Sequence, residues 1–323
     1  MASHLQFVPE DAKKWNDSKG RPIAIAEVTV SVIMRMFLLK PTPRNTELIL
    51  GVIGRAQAKY DFEIYAYAFL SNHGSYLIGV RSAEHMSDIK CYIHSNVARE
   101  VLRSRDCHWN GSFYGRPARS ILVLTDENIL DRIRYICANS TKEHLVTHPC
   151  KWPGAHSARA LCSGNNDTGL WIDRTATSEK ARKHKGKRGR PPVAMTTYEV
   201  RLSKVPPLAH LTDEEYRDTM AAMCDDIAAE AAEERQLNGK RVMGIKRIMR
   251  FSSMHIPEGD NRSPAPFVHC CEPHMRRAFV LAYKGFAEAY RIANELLREG
   301  LDGFVIFPEG GHSPISCRLR KAG

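Results

Sequence analysis

Two polar side chains stand inside an apolar run in the segment LSNHGSYLI, residues 70–78. The run is typical of a β-strand, and successive side chains on a strand alternate between its two faces. His73 and Ser75 therefore point to the same side, and Gly74 points to the other. This side of the strand presents an imidazole and a hydroxyl together. For His73 alone, a hydrogen-bonded histidine at a strand end is the alternative interpretation.

A second candidate pair lies in the segment RYICAN, residues 134–139. Ile129, Ile133 and Ile136 set the buried face of a helix here, and Tyr135 lies about 200° around the helix from Ile133. Tyr135 is thus predicted to point away from the core, with Asn139 on its side four residues later. The pair offers a phenol and an amide oxygen. The pattern by itself favours an ordinary surface tyrosine beside a surface asparagine, because short patterns often match by chance.

The elements that must position these groups alternate between strand-like and helix-like runs. The patterns predict a buried strand over 28–39, a helix over 43–59, adjacent strands in EIYAYAFL and SYLIGV, a helix over 83–102, a strand over 120–124 and a helix starting at Thr125 or Asp126. This β-α-β-β-α-β-α order predicts an α+β fold. Its core is a ferredoxin-like antiparallel sheet with helices on one face.

The character of the chain changes after Trp152-Pro153-Gly154. Residues 180–190, KARKHKGKRGR, hold seven Lys or Arg and precede two prolines, which predicts an exposed linker or a nucleic-acid-binding arm. A capping box at 212–215 predicts an acidic helix to about Gln236, and an apolar stripe predicts a last helix over 274–299. We predict three parts: a domain over 1–150, a basic linker over 151–195 and a mostly helical region over 196–323.

Charge and composition indicate a class of partner. The net charge of +11 draws the chain toward polyanions, of which nucleic acid is the first candidate. The longest apolar stretch, Ile23 to Leu39, is interrupted by Glu27 and Arg35, so we expect no membrane span. The first residues lack the apolar core of a signal peptide, and nine cysteines without a C-x-x-C indicate reduced thiols. We therefore expect a cytoplasmic protein.

Three segments resemble, in order and spacing, the motifs of the REP-associated tyrosine transposases, which belong to the HUH superfamily of single-strand-DNA transposases. They are AFLSNHGSYLI (68–78), FYGRPARSILVLTDE (113–127) and IRYICANSTKEHLV (133–146). Four further segments, 152–154, 170–175, 263–270 and 307–311, resemble a long-tailed bacterial branch of transposase-like proteins.

The resemblance implies a mechanism. Tyr135 matches the family's nucleophile, which attacks a phosphodiester of single-stranded DNA, forms a 5′-phosphotyrosine link and frees a 3′-hydroxyl. A divalent ion, Mg²⁺ or Mn²⁺, is held by two histidines and a polar residue; His73 matches the first ligand and Asn139 the third. Ser75 stands where the family has its second histidine. A serine hydroxyl is a weak ligand that reaches Mg²⁺ only through a water molecule, which puts cleavage in doubt.

Other residues are candidates for contacts with DNA or metal. GKRGRPP resembles an AT-hook core, with Lys187, Arg188 and Arg190 along the minor groove. A flexible basic linker without groove preference is the alternative. Arg116 and Arg119 are candidate phosphate contacts or ordinary surface charges. The cluster His269-Cys270-Cys271 with His274 offers zinc ligands, at a spacing that matches no common zinc pattern.

Three functional hypotheses follow. The first is an active transposase or nickase acting on single-stranded or hairpin DNA, as a monomer or homodimer. The second is a DNA-binding protein of the same descent that no longer cleaves, and Ser75 is the residue that separates the two. The third is an RNA-binding or protein-interaction module; the chain lacks the exposed aromatic motif of RNA-recognition sheets, which counts against it.

Overall fold

The computed structural model describes residues 5–104, 109–185, 189, 191–258, 266–301 and 305–311. The strands are β1 (Trp15–Asn16), β2 (Pro22–Ser31), β3 (Ile64–Phe69), β4 (His73–Val80), β5 (Arg119–Val123), β6 (Asp167–Ile172), β7 (Met195–Val200) and β8 (Val268–His269). The helices are α1 (Pro43–Tyr60), α2 (Ala83–Leu102), α3 (Asp126–Lys142), α4 (Ala158–Ser163), α5 (Arg174–His184), α6 (Asp213–Leu237), α7 (Ile245–Arg250) and α8 (Pro273–Arg298).

The main sheet has the strand order β3-β4-β2-β5-β8, with β1 paired to β2 outside this path. β2 lies between β4 and β5 and is antiparallel to both, and β3 is antiparallel to β4. A β-α-β-β-α-β chain with this order has the ferredoxin-like topology, so the predicted α+β fold class is confirmed. The two-residue strand β8 adds to β5 in parallel, a contribution of the distant chain that the sequence patterns did not indicate.

Helices cover both faces of this sheet. One core cluster joins Ala26 and Val28 of β2 to residues of α1 and α2, and the other joins Ile23 and Ile25 to Ile133 of α3. The predicted placement of helices on one face therefore holds for α1 and α2, and Phe279 of α8 packs in the same cluster. In contrast, α3 and α6 lie on the opposite face. The physical reason is visible in β2 itself, because a strand that is apolar on both faces must be covered on both.

The first long strand differs from its predicted range of 28–39. It runs from Pro22 to Ser31, and a short 3₁₀ turn follows at Ile33–Arg35. Within this turn, Met34 and Arg35 have φ of 49° and 55°, a left-handed conformation that is incompatible with a continuing strand. The apolar composition of the run continued past the strand, so it did not reveal this turn. The turn carries Arg35 out of line with β2.

The acidic helix α6 is an integral part of the core. Its capping box between Thr212 and Glu215 is present as predicted. Tyr216, Met220 and Ile227 pack in the cluster that contains α3. Its acidic side chains reach basic partners on neighbouring segments, with Glu230 Oε1 2.5 Å from Arg134 Nη2 and Asp225 Oδ1 3.1 Å from His148 Nε2. No helix in the described residues is long and apolar enough to cross a membrane.

A small hairpin of β6 and β7 packs on α1 through two glycines. Gly51 of α1 faces Gly169 of β6 so closely that a Cβ built on Gly169 would lie 2.1 Å from the Gly51 nitrogen. A Cβ on Gly51 would lie 2.2 Å from the Leu170 carbonyl oxygen. Only hydrogen at both positions permits this approach of two backbones.

Gly169→Ala is expected to destabilise the fold. The added methyl would clash with backbone atoms, which cannot move aside as a side chain can by changing its rotamer. Overpacking of this kind costs about 1–3 kcal/mol. The measurement is the free energy of unfolding in urea. Gly285→Ala is the matched control: it lies inside α8 with nothing within 4 Å of its would-be Cβ. That change should stabilise by about 0.5–1 kcal/mol. Equal effects of the two substitutions would refute the packing argument.

Candidate active site

His73 and Ser75 lie on the sheet face that α3 covers. His73 is the first residue of β4, opposite Ser31 of β2, and Ser75 is opposite Thr29. Alternation along β4 places both on the face of Leu77, which packs in the same cluster as Ile133 of α3. His73 and Ser75 therefore lie on the sheet face that is covered by the helix carrying Tyr135 and Asn139.

His73 is held in one orientation by its neighbour. Its Nδ1 lies 2.7 Å from Asn72 Oδ1, and since an amide oxygen only accepts, Nδ1 carries the proton in this contact. Nε2 is then the nitrogen with the free lone pair, which is how a carbonyl-type partner prepares a histidine to bind a metal ion. Burial, and to a smaller extent the charge of Arg35, lower the pKa of His73 to about 4. The imidazole is therefore neutral at physiological pH.

Ser75 is fully enclosed between strands. Its side chain belongs to a residue only 1% exposed, and its Oγ lies 3.3 Å from Oγ1 of Thr29 on β2. The hydroxyl thus has a cross-strand hydrogen-bond partner within the sheet. It contacts the neighbouring strand on the sheet face that α3 covers.

Tyr135 stands at the surface of α3 between two cations. The residue is 38% exposed, away from the buried Ile133 and Ile136. The guanidinium carbon of Arg132 lies 4.9 Å from the centre of its ring, and Nζ of Lys142 lies 5.4 Å from it. Positive groups at these positions attract an anion such as a phosphodiester toward the phenol.

The pKa of the Tyr135 phenol is raised. Burial of part of the ring is the first cause and the charge of Glu27 is the second, while the charges of Arg132 and Arg35 act in the opposite direction. Arg35 influences both Tyr135 and His73. The phenol is thus protonated at neutral pH and must give up its proton in order to act as a nucleophile.

Asn139 is buried at 5% exposure, although it lies one turn after the exposed Tyr135. Its Nδ2 has no hydrogen-bond partner among the described residues. The two ends of an amide are assigned from their surroundings, and an orphaned buried end is costly. Nδ2 is a donor, so the partner that it lacks is an acceptor, such as an oxygen atom of a bound phosphate. Only Oδ1, at the other end of the amide, could bind a cation.

Two charged residues next to Tyr135 were not among the predicted site residues. Glu27 of β2 is buried at 4% exposure, with its Oε2 2.8 Å from His269 Nε2 and 3.7 Å from Arg132 Nη1. Arg35 follows the end of β2. The signal was present, because these two are the charges that interrupt the apolar stretch from Ile23 to Leu39. A charge inside a buried strand needs a partner, and here the partners border the candidate nucleophile.

The remaining candidates are dispersed. Arg119 begins β5 opposite Thr29, on the face of Ser75, whereas Arg116 is exposed in the preceding segment. Lys187, Arg188 and Arg190 lie outside the described residues.

The cluster at 269–274 does not gather around a common point. Cys270 donates to the Glu272 carbonyl at 3.4 Å, Cys271 lies 3.3 Å from Thr125 Oγ1, and His274 pairs with the Glu272 carboxylate at 3.2 Å. The zinc interpretation of these residues is therefore wrong in this structure, because each side chain has its own protein partner.

The lowered pKa of His73 predicts how its contribution to stability depends on pH. The folded chain keeps the imidazole neutral down to about pH 4, whereas the unfolded chain protonates near 6.5. Stabilisation by the neutral form is complete above pH 6.5 and is lost as the pH falls toward 4. Compared with the wild type, His73→Gln should show a shallower fall of the unfolding free energy across this window. The exposed His274→Gln is the control, and a wild-type slope in His73→Gln would contradict the assignment.

Comparisons with known proteins give a distant likeness. No family model and no curated protein matches the chain. Among solved structures, a REP-associated tyrosine transposase bound to a REP hairpin is 14% identical, with a TM-score of 0.36 over 51% of this chain and 87% of that one. A candidate transposase from Deinococcus radiodurans R1 is 12% identical, with a TM-score of 0.29 over 38% of this chain and 95% of that one. Scores below 0.5 do not establish a shared family.

Proposed function

We propose that this protein binds single-stranded or hairpin DNA and cleaves it, with Tyr135 as the nucleophile. The observation that carries the proposal is the packing of α3 over the sheet face on which His73 lies. Tyr135 is accessible on that helix, and Arg35 acts electrostatically on both side chains. The sequence resemblance to tyrosine transposases, in three motifs that include these residues, supports the same conclusion.

The proposed step is a transesterification. The Tyr135 oxygen attacks the phosphorus of a DNA phosphodiester, and the bond from phosphorus to the 3′-oxygen breaks. The phenol loses its proton and the departing 3′-oxygen gains one, so a 5′-phosphotyrosine and a 3′-hydroxyl result. Arg132 and Lys142, which flank the ring, hold the phosphate against it. Strand transfer is the reverse reaction with a different 3′-hydroxyl.

Of the three predicted ligands, His73 fits a divalent cation, Mg²⁺ or Mn²⁺, best, because it presents the lone pair of Nε2. Asn139 would bind through Oδ1, since its unpartnered Nδ2 is a donor. Ser75 fits poorly, because its hydroxyl is bonded to Thr29 and enclosed. When bound, the ion polarises the scissile phosphate as a Lewis acid. We propose that His73 and Asn139 hold it and that water molecules complete its shell, as Mg²⁺ commonly allows.

The charge of the chain supports DNA as the partner. A net charge of +11 supplies affinity for phosphate, and Lys187, Arg188 and Arg190 are the proposed minor-groove contacts, with Arg116 and Arg119 as phosphate contacts. Binding should therefore weaken steeply as salt increases. We retain the division at 1–150, 151–195 and 196–323, a cytoplasmic location and a monomer or homodimer as parts of this proposal.

The test is incubation of the protein with end-labelled hairpin oligonucleotides in Mg²⁺ or Mn²⁺, followed by denaturing electrophoresis. A covalent protein–DNA species that requires the metal ion supports the proposal. Tight, salt-sensitive binding without such a species supports the second candidate, a DNA-binding protein that has lost cleavage. The enclosed hydroxyl of Ser75 is the observation that favours this alternative, since it supplies no direct ligand where a histidine would.

Ser75→His is expected to raise metal-dependent adduct formation, by about tenfold or more, because it adds a strong ligand to a site that lacks one. Combining it with Thr29→Ala provides room for the ring, since Thr29 contacts the present hydroxyl. Adduct yield against metal concentration is the measurement. Ser75→Ala is the control and should behave as the wild type. A large loss in Ser75→Ala would instead identify the serine as a ligand.

A further inference from the structure

Three cysteines that are far apart in the chain meet at one point. Cys150 lies in the 3₁₀ turn Pro149–Lys151, Cys162 in α4 and Cys224 in α6. Their sulfur atoms all lie within 4.8 Å of one another. No other group of three metal-binding side chains comes this close within the described part of the chain.

We propose that these thiols form a structural Zn²⁺ site, with Cys137 of α3 as the fourth ligand. Zinc binds thiolates at about 2.3 Å in a tetrahedron, which places neighbouring sulfurs about 3.8 Å apart. The sulfurs of Cys150 and Cys162 are separated by 3.7 Å. A disulfide requires about 2.05 Å and would join only two of the three. The separation of Cys150 and Cys162 is therefore that of two thiolates bound to one zinc ion.

The neighbouring histidines are less suited than Cys137 to be the fourth ligand. Both ring nitrogens of His148 have partners: Nδ1 accepts from the Cys150 amide at 3.1 Å, and Nε2 lies 3.1 Å from Asp225. Nδ1 of His156 accepts from the Ala158 amide at 3.1 Å, which places the proton of this ring on Nε2 and leaves that nitrogen no lone pair for a metal. Cys137 is fully buried beside Cys224. Its sulfur does not lie within 4.8 Å of all three of the other sulfurs, so it would shift toward them when zinc binds.

A zinc ion would hold all four sulfurs as thiolates, because a coordinating thiol loses its proton outright and the metal ion compensates the negative charge.

The site would join four segments that are separate in sequence. Cys137 is in α3, Cys150 in the turn after it, Cys162 in α4 and Cys224 in α6. Zinc would thus fasten the acidic helix α6 to the helix that carries Tyr135. This role is structural and stands whether or not Tyr135 cleaves DNA.

The experiment uses the full chain, purified under reducing conditions without chelators, with metal content measured by mass spectrometry. About one zinc per chain is expected. Cys150→Ser and Cys224→Ser should each reduce zinc content at least tenfold, whereas Cys91→Ser, at an exposed position of α2, should leave it unchanged. Substitution of Co²⁺ for zinc in the wild type should produce the intense sulfur-to-metal charge-transfer absorption of thiolate coordination.

If a serine variant fails to fold, the cobalt spectrum of the wild-type protein still tests the zinc site. Wild-type protein that contains no zinc and gives no thiolate–cobalt absorption would overturn the proposal, as would a mapped Cys150–Cys162 disulfide in the reduced preparation. Folded serine variants with unchanged zinc would do the same. Cys137→Ser is expected to weaken zinc binding; an unchanged affinity would overturn the assignment of the fourth ligand.

Discussion

Tyr135→Phe should abolish the covalent protein–DNA adduct while leaving hairpin binding at its wild-type strength. The substitution removes one oxygen atom from a ring that is 38% exposed, so the core of α3 is unaffected. The nucleophile is lost entirely, and the expected decrease in the cleavage rate is on the order of 10³-fold or more. Adduct formation on labelled hairpin DNA measures the chemistry, and a mobility-shift titration measures binding.

Tyr60→Phe is the control for this experiment. Tyr60 ends α1, on the opposite face of the sheet, and its substitution should leave both adduct formation and binding unchanged. An adduct that persists in Tyr135→Phe would exclude Tyr135 as the nucleophile. Loss of binding together with cleavage would show that the phenol acts as a DNA contact instead, which favours the cleavage-deficient alternative.

Glu27→Leu is expected to reduce the free energy of unfolding by about 3–5 kcal/mol, because it removes one partner from a buried charge pair. Glu27 lies between Arg132 and His269, and Arg132 would keep its charge in a partly buried position without a carboxylate. Urea denaturation is the measurement. The control is Glu230→Leu in α6, which breaks a surface pair with Arg134. Arg134 is in α3, like Arg132, and this loss should cost less than about 1 kcal/mol. Similar losses in both variants would contradict the buried pair.

The milder substitution Glu27→Gln probes the candidate nucleophile. The charge of Glu27 contributes to the raised pKa of Tyr135, so its removal should lower that pKa, although burial would continue to raise it. The pH profile of adduct formation should then shift toward lower pH. A profile identical to that of the wild type would show that Glu27 has no influence on the phenol during the reaction.

The elements of the first half of the chain could be predicted because their cores are amphipathic and their ends carry local signals. The helix predicted over 83–102 is α2, Ala83–Leu102, and the capping box of α6 lies where Thr212 and Glu215 indicated. The strand end at Ser31 could not be predicted in this way. It depends on the left-handed conformations of Met34 and Arg35, which the apolar pattern does not encode.

The candidate site was likewise predictable only in part. Two pairs could be predicted from the sequence, because the periods of a strand and a helix relate residues that are close in the chain. These pairs are His73 with Ser75 and Tyr135 with Asn139. Glu27 was visible only as an interruption of an apolar run. Its pairing with Arg132 and His269 required strands β2 and β8 and helix α3 to meet.

The sequence by itself determined the fold class, the order of its elements and the side of each strand on which a polar group would stand. Only the tertiary structure decided that α3 covers the face of His73, that the hydroxyl of Ser75 is taken by Thr29, and that Cys150, Cys162 and Cys224 converge. The reason is physical. Local periodicity follows from backbone geometry. Contacts between distant segments depend instead on which apolar faces pack against each other when the chain folds.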